Sequence, residues 1–397
     1  MALCFFDDHR RQHFFPLALS RPVADIRFGV RNVAETWSDI LNQTFCFHSS
    51  QELMSCFPSP KNEVQLCING RLVPDRALVN AFSQMQPGDV VFNGDNLVAA
   101  CILPNDLPKL LQQGTPHPEM NVIEMEDEFV LLNDITDVFA LNDKAIELDF
   151  ELLSRGKVSA ALDPTCMIIG DPEKVFIEEG ASVEGCFLNT KGGPIYIGSN
   201  ATIMEASVIH GPFALGDNAT IKAGAKIYGA TTIGPWCKIG GEVSNSLFQA
   251  YSNKGHDGFV GNSLVGAWCN FGADTNTSNL KNNYGPVKIW DYAQDEYRNT
   301  GLTFCGLLMG DHSKCSINTM FNTGTTVGVS CNIFGSAFPP KFVPSWSWGG
   351  AEGLATYDFD KSILTAERMM LRRKEELSDQ DIALLRHIYD NTSKYRS

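Results

Sequence analysis

The sequence predicts an α/β domain, then a triangular solenoid of short parallel strands, then a brief helical tail. Three observations carry that prediction: a six-residue aliphatic period through the middle of the chain, alternating strand-like and helix-like segments before it, and amphipathic segments after it. At 397 residues and 44% hydrophobic content, the chain exceeds one average domain and can fill more than one core. With 31 Lys+Arg against 46 Asp+Glu, the net charge of −15 counts against a general nucleic-acid binder and against a protein held to an anionic membrane. No apolar run of about eighteen residues and no signal-peptide pattern is seen, so a cytoplasmic protein is expected. The 12 cysteines, scattered without a CxxC pair, read as reduced, buried small hydrophobes rather than a zinc site.

The first domain is expected over residues 1–155. Strand-like segments fall at 3–6, 44–48, 64–68, 90–92 and 98–103, and helix-like ones at 30–41, 76–83 and 107–112. Residues 119–149 read as a mixed, partly helical transition.

The solenoid is expected over residues 156–350. From Ile197, aliphatic residues recur six apart at Ile203, Ile209, Leu215, Ile221, Ile227, Ile233 and Ile239. If about a quarter of residues were aliphatic, eight hits in one register would carry a chance on the order of one in 10⁵. Two positions before the anchors lie Ala201, Ser207, Ala219, Ala225, Thr231 and Cys237, with Ile195 and Phe213 as larger exceptions. Such a pattern fits strands wound round a prism with small residues in its narrow interior, about eighteen residues to a coil. Ile169, Ile177 and Val183 suggest irregular opening coils, and a second register runs through Met309, Cys315, Phe321, Val327 and Ile333. Residues 244–258 and 279–304 read as excursions from the prism, where chemistry is to be sought.

The tail covers residues 351–397. Pro339, Pro340 and Pro344 interrupt the coils, and Trp346 and Trp348 are expected to cover the last coil or an oligomer seam. Ile363, Ala366, Met369 and Met370 make one apolar helical face, residues 379–389 a second helix.

The residues themselves then resemble a known enzyme family. Gly255-His256-Asp257-Gly258-Phe259-Val260-Gly261, Ala273-Asp274-Thr275-Asn276-Thr277-Ser278-Asn279, Asn282-Asn283-Tyr284-Gly285, Met309-Gly310-Asp311-His312-Ser313-Lys314 and Phe321-Asn322-Thr323-Gly324 resemble the acetyltransferase half of the bifunctional GlmU family. The opening Phe6-Asp7-Asp8, Ser20-Arg21-Pro22 and Ile26-Arg27-Phe28-Gly29 resembles its short Bacteroidetes-type branch. The resemblance implies a nucleotidyltransferase-like first domain and a left-handed parallel β-helix of hexapeptide repeats assembled as a homotrimer. It also implies acetyl transfer from acetyl-CoA to glucosamine-1-phosphate, followed by uridylyl transfer from UTP.

Within that resemblance, His256 matches the general base and Asn279 a substrate-contact asparagine. An imidazole can take the amine proton near neutral pH if the acceptor lies within hydrogen-bond reach. Phe259 stands where the classical pattern has tyrosine, so a phenolic hydrogen bond is lost there. Lys254 and Lys281 are candidate anchors for the sugar phosphate, with Lys222, Lys226 and Arg298 as weaker alternatives. Ala273 and Gly324 are candidate CoA contacts, equally readable as coil packing. His210 and His312 read as structural. In the first domain, Arg11, Arg21 and Arg27 are candidates for UTP phosphates, and Asp7, Asp8 and Asp95 for Mg²⁺. The usual Gly-rich loop is replaced by Asp7-Asp8, Arg10-Arg11 and Ser20-Arg21-Pro22. Two other readings stay open: an acyltransferase acting on another amino-sugar phosphate or nucleotide-linked amino sugar, and a noncatalytic trimeric binding scaffold.

Overall fold

A computed structural model describes residues 2–113, 119–125 and 128–396. The first domain carries a six-stranded sheet of β1 (Leu3–Phe6), β2 (Phe45–His48), β3 (Gln65–Asn69), β4 (Asp89–Asn93), β5 (Asn96–Ile102) and β6 (Asn121–Glu124), in the order β2-β1-β3-β5-β4-β6. Strand β1 runs parallel to β2 and β3, while β5 is antiparallel to β3 and β4. Helices α1 (Val33–Leu41), α2 (Arg76–Phe82), α3 (Leu107–Gln113), α4 (Ile135–Ala140) and α5 (Asn142–Ser154) accompany the sheet. Helix α1 starts in a capping box, Asn32 accepting from the Glu35 amide while the Glu35 carboxylate accepts from the Asn32 amide, which satisfies two otherwise orphaned donors.

Beyond α5 the chain winds as a left-handed β-helix with three parallel faces, the first opening at Met167–Ile169, the second at Val175–Ile177 and the third at Ser182–Val183. The expected anchors Ile197, Ile203, Ile209, Leu215, Ile221, Ile227, Ile233 and Ile239 line its interior, all essentially inaccessible, and the small residues two positions earlier are buried with them. Phe213 pairs with Thr231 and Thr220 with Lys238, the eighteen-residue coil of the pattern. The second register, Met309 to Ile333, is buried in the same core.

One expected excursion does not exist. Residues 244–258 stay on the prism, because the coil merely shortens: Ile239 pairs with Lys254, fifteen residues on, and Glu242 with Phe259, seventeen on. The shorter coil breaks the six-residue register without breaking the solenoid. The other excursion is real. Leu264 pairs with Leu308, forty-four residues on (308 − 264), and the intervening chain forms an antiparallel hairpin of Lys288–Asp291 with Glu296–Asn299.

The first domain covers the second face of the prism. Outward-facing Leu247, Leu264 and Leu308 share a core with the domain's Phe5, Leu17 and Trp37, and the hairpin adds Val287 and Ile289. Helix α5 lays Ile146 against Phe176, Tyr196 and Ala214 on the same face. Strands on this face are therefore apolar on both sides, as in Ile195-Tyr196-Ile197. Ser347–Gly350 pairs antiparallel with Gly353–Thr356, so the last sheet ends in a hairpin that straddles the expected boundary at 350. Helices α6 (Phe359–Leu371) and α7 (Asp379–Asn391) then pack on Trp346, Val329, Leu19 and Leu53, tying the tail to prism and first domain together. Trp346 is fully buried and donates Nε1–H to Ser362 Oγ at 2.8 Å, while Trp348 lies 40% exposed beside Phe334 and Tyr357.

Candidate active site

The corner that carries His256 is held from the inside. In the preceding coil Ile239 points into the prism, and its partner one coil on is Lys254, only 1% exposed. Four methylenes of Lys254 fill the space an aliphatic anchor would fill, and its ammonium donates to the carbonyls of Gly240 at 2.9 Å and His256 at 2.7 Å. Burial, only partly countered by Asp257 and Asp274, pushes its pKa down to about 8. Lys254 thus departs from the expected phosphate anchor: its charge faces backbone inside the solenoid.

Two glycines let the chain turn here. Gly258 sits at φ +111°, where a Cβ would also strike the Thr275 carbonyl. A Cβ on Gly241 would lie 2.8 Å from Asp257 Cα and 2.9 Å from the carbonyl oxygens of His256 and Gly258. The loop is therefore clamped on both sides, and the Asp257 carbonyl accepts from the Asp274 amide of the next coil at 3.1 Å. The His256 side chain projects outward and is exposed, with no side-chain hydrogen bond among the described residues. Its backbone is fixed while both ring nitrogens stay open to an incoming group.

Phe259 and Asn279 come together on the adjacent face. Gly261 leaves the room they share, since a Cβ there would lie 2.5 Å from the Phe259 ring and 2.6 Å from Asn279 Nδ2. The Asn279 amide donates to Asn262 Oδ1 at 2.7 Å, so one of its two N–H groups and its oxygen remain for a ligand. Ala273 lies one coil beyond His256 on the same corner, its carbonyl accepting from Asn318. Lys281, in the excursion, donates to the Pro286 carbonyl of its own loop. Gly324 is at φ +64°, and a Cβ would strike the Lys288 carbonyl, so this glycine seats the hairpin base. Arg298 points away from the corner and pairs with Asp134 of the first domain at 2.8 Å and with Asp291 at 3.2 Å.

Most of the expected nucleotide and metal residues are engaged with other groups of the protein. Asp8 receives Arg71 through both oxygens, the closest contact at 2.6 Å; burial opposes its charge, but the guanidinium outweighs it and holds the carboxyl below the usual range. Asp7 accepts from the Val23 amide at 2.9 Å and from Ser49 Oγ, with Arg11 at 3.4 Å, and burial raises its pKa. Arg11 is spent further on Ser50 Oγ and the Ala18 carbonyl. Arg21 crosses to the solenoid and binds Asp311 at 2.6 Å; Arg27 crosses to the Gln249 carbonyl at 3.2 Å and also meets the Val30 carbonyl. Asp95 sits exposed in the β4–β5 turn. Among the described residues no group of three or more His, Cys, Asp or Glu is placed to hold a metal ion. Arg21, Arg27 and Arg298 therefore fasten two domains, a role that sequence reasoning missed together with their partners Asp311 and Gln249 and the Arg71–Asp8 pair inside the first domain.

The comparison with protein families agrees with the first domain. The sugar nucleotidyl transferase family matches residues 3–158, and no curated protein matches the chain. The fold is a nucleotidyltransferase-like domain followed by a left-handed β-helix and C-terminal helices. Similar solved structures include the polySia specific acetyltransferase NeuO, 12% identical over 49% of this chain and 82% of its own, with a TM-score of 0.25. An Arabidopsis UDP-N-acetylglucosamine acyltransferase is 14% identical over 60% of this chain and 99% of its own, at 0.28. A perosamine N-acetyltransferase from Caulobacter crescentus is 12% identical over 84% and 94%, at 0.16.

Proposed function

We propose that this protein transfers an acetyl group from acetyl-CoA to the amine of an amino-sugar phosphate or nucleotide-linked amino sugar, with His256 as general base. The observation that carries the reading is the His256 corner: an open imidazole on a backbone locked by Lys254, Gly241 and Gly258, beside the Phe259–Asn279 pair. His256 takes the amine proton as nitrogen attacks the thioester carbonyl; the N–C bond forms, the C–S bond breaks, and the imidazolium returns the proton to the departing thiolate. Asn279 has amide groups to orient the sugar, and Phe259 supplies an apolar wall without a phenolic donor. Glucosamine-1-phosphate is the first acceptor to test, Lys281 being the remaining candidate for its phosphate.

For the further expectation of uridylyl transfer with UTP and Mg²⁺, the named carboxylates and arginines other than Asp95 are engaged with protein groups among the described residues. Asp8 is paired with Arg71, Asp7 is buried with Arg11, and Arg21 and Arg27 are bound across the seam, while Asp95 is exposed. A homotrimer remains part of the proposal, a neighbouring copy closing the open corner, and sedimentation or native mass measurement tests it. Among the described residues no helix is long and apolar enough to cross a membrane.

The test is product analysis. The purified chain with acetyl-CoA and a panel of amino sugars, glucosamine-1-phosphate among them, is expected to yield an acetylated sugar by mass spectrometry. His256→Ala should lower the rate about 10²–10⁴-fold with the fold retained. Folded protein that acetylates none of the acceptors would return the molecule to the binding-scaffold reading.

A further inference from the structure

The prism opens on a strand with one neighbour. Among the described residues, Met167–Ile169 is the end strand of the first face and pairs with Phe187–Asn189 alone, whereas each strand between the two ends of that face is hydrogen-bonded on both sides. The end coil of a solenoid lacks one of the two stacking contacts that an inner coil has, so it opens first. Leu162, Cys166, Ile168 and Ala181 close this end and are only partly buried against the interior.

Two thiols meet there. Met167 stands beside Phe187, so the residues just before them, Cys166 and Cys186, head neighbouring strands, and the Met167 amide donates to the Cys186 carbonyl at 2.9 Å. Their Sγ atoms are 3.5 Å apart. Neighbouring strands lie about 4.8 Å from one another, within the Cα separation of about 4.4–6.8 Å that a disulfide bridges. Joining the sulfurs at about 2.05 Å asks for a closure of about 1.5 Å, within reach of side-chain rotation and without a change of register.

The other cysteines are arranged differently. Cys56 and Cys166 are partly exposed and the rest are buried. At the head of the third face Cys237, Ser252, Cys269, Ser313 and Cys331 alternate coil by coil, so each thiol there has a hydroxyl beside it, Ser252 Oγ accepting from the Cys269 amide and Ser313 Oγ from the Cys331 amide. In the first domain Cys46, Cys4 and Cys67 stand side by side on β2, β1 and β3, but they share a buried core with Leu107 and Leu110 of helix α3, and the Cys46 thiol is turned to the Leu3 carbonyl and Gln65 Oε1. Cys166 and Cys186 combine adjacency with one member that solvent reaches. An oxidant meets Cys166 first, while burial and the neighbouring thiol push the Cys186 pKa up to about 12 and keep it protonated until its partner is oxidised.

We propose that Cys166 and Cys186 are a site of oxidation by hydroperoxides, and that their disulfide fastens the end strand of the prism to its one neighbour. The Cys166 sulfur attacks an oxygen of hydrogen peroxide: the S–O bond forms, the O–O bond breaks, and the leaving hydroxide takes the thiol proton to become water. The Cys186 sulfur then attacks the sulfenic acid: the S–S bond forms, the S–O bond breaks, and the departing hydroxide takes the Cys186 proton as a second water. Two electrons pass from the two thiols to the peroxide, and a dithiol reductant returns them. The closed ring joins residues twenty apart (186 − 166), which removes open arrangements of the first coil from the conformations the chain can reach. Nothing in this chemistry depends on acetyl transfer.

The folded full chain is treated with hydrogen peroxide, its remaining thiols are alkylated, and it is cut with trypsin without reduction. Cleavage after Lys157, Lys174 and Lys191 separates peptides 158–174 and 175–191, each with one cysteine. They are expected as one joined species about 2 Da lighter than their sum, and as two separate peptides after dithiothreitol. Amides of residues 167–169 should exchange about tenfold more slowly in the oxidised chain than in the reduced one. Cys186→Ala should stop Cys166 at the sulfenic acid, trapped as a dimedone adduct, with no slowing of exchange. Cys56→Ser, which removes the other partly exposed thiol, should leave the link intact. The wild-type link and its exchange need no variant, so they decide the matter whether or not Cys186→Ala folds. Peptides 158–174 and 175–191 recovered unlinked from peroxide-treated folded chain, or Cys166 joined to another cysteine instead, overturn the inference. A link that leaves exchange at 167–169 unchanged overturns the fastening.

Discussion

Taking an ammonium out of water costs several kcal/mol unless its donors are met, and Lys254 meets two carbonyls at the turn that presents His256. Replacing it with Met keeps the volume and removes both the charge and the tether. Lys254→Met should change stability by less than about 1.5 kcal/mol, while misplacement of the imidazole lowers acetyl transfer by roughly 10²-fold; parallel denaturation and rate measurements check the split. The sign of its pH dependence follows from linkage. Its folded pKa of about 8 lies below the ordinary 10.5, so the unfolded chain binds the proton more tightly between those values and wild-type stability gains as pH rises through that window. The variant should lack this increment, visible as a difference between two urea-midpoint curves. His312 gives the acid counterpart. Burial, aided by Lys314, pushes it down to about 4 from 6.5, so its contribution is full above 6.5 and is lost as pH falls toward 4. Asp25, raised by burial to about 6, works in the opposite direction over part of that range, so the comparison to make is wild type against His312→Asn.

At the scale of elements, the prism rests on its inward aliphatic rows and the hairpin on a charged root. Ile227→Ala, at the centre of a regular coil, should cost about 2–5 kcal/mol by chemical denaturation. Arg298→Ala leaves the buried Asp291 carboxylate with only His13 and the Ala293 amide and should cost about 1–3 kcal/mol, read as faster amide exchange in residues 288–299. The rows were legible in the sequence because each coil repeats one physical requirement at a constant interval. So were β1 to β5, whose apolar runs are bounded by turn residues and helices. Residues 244–258 were misread because the shorter coils move Phe248, Val260 and Val265 off the six-residue register while leaving them buried, and because an inward lysine does not look like an anchor. At the candidate site, His256 was singled out by the family resemblance of its glycine-flanked motif, and the structure sets it on an exposed corner. The inward direction of Lys254 was not legible, since it depends on the coil that precedes it.

For the whole molecule, the illegible part is the seam. Arg21 meets Asp311 across 290 residues of chain and Arg27 meets Gln249 across 222, separations at which no local pattern announces a partner. Arginines read in isolation therefore resembled phosphate ligands. Because the first domain, the prism and the tail share continuous apolar cores, heating should give one calorimetric transition. Arg21→Ala, which leaves Asp311 short of its cation, should broaden or split that transition without lowering the solenoid's own melting point as far.

The forty-four-residue step between Leu264 and Leu308 replaces a coil of about eighteen. Closing the longer loop costs only about 0.8 kcal/mol more in chain entropy, close to the value of a single buried methylene. The edge beyond Asn279 is thus a cheap place for the lineage to trade surface: tracts of quite different length can be inserted or withdrawn there while the coils above and below keep their pairing.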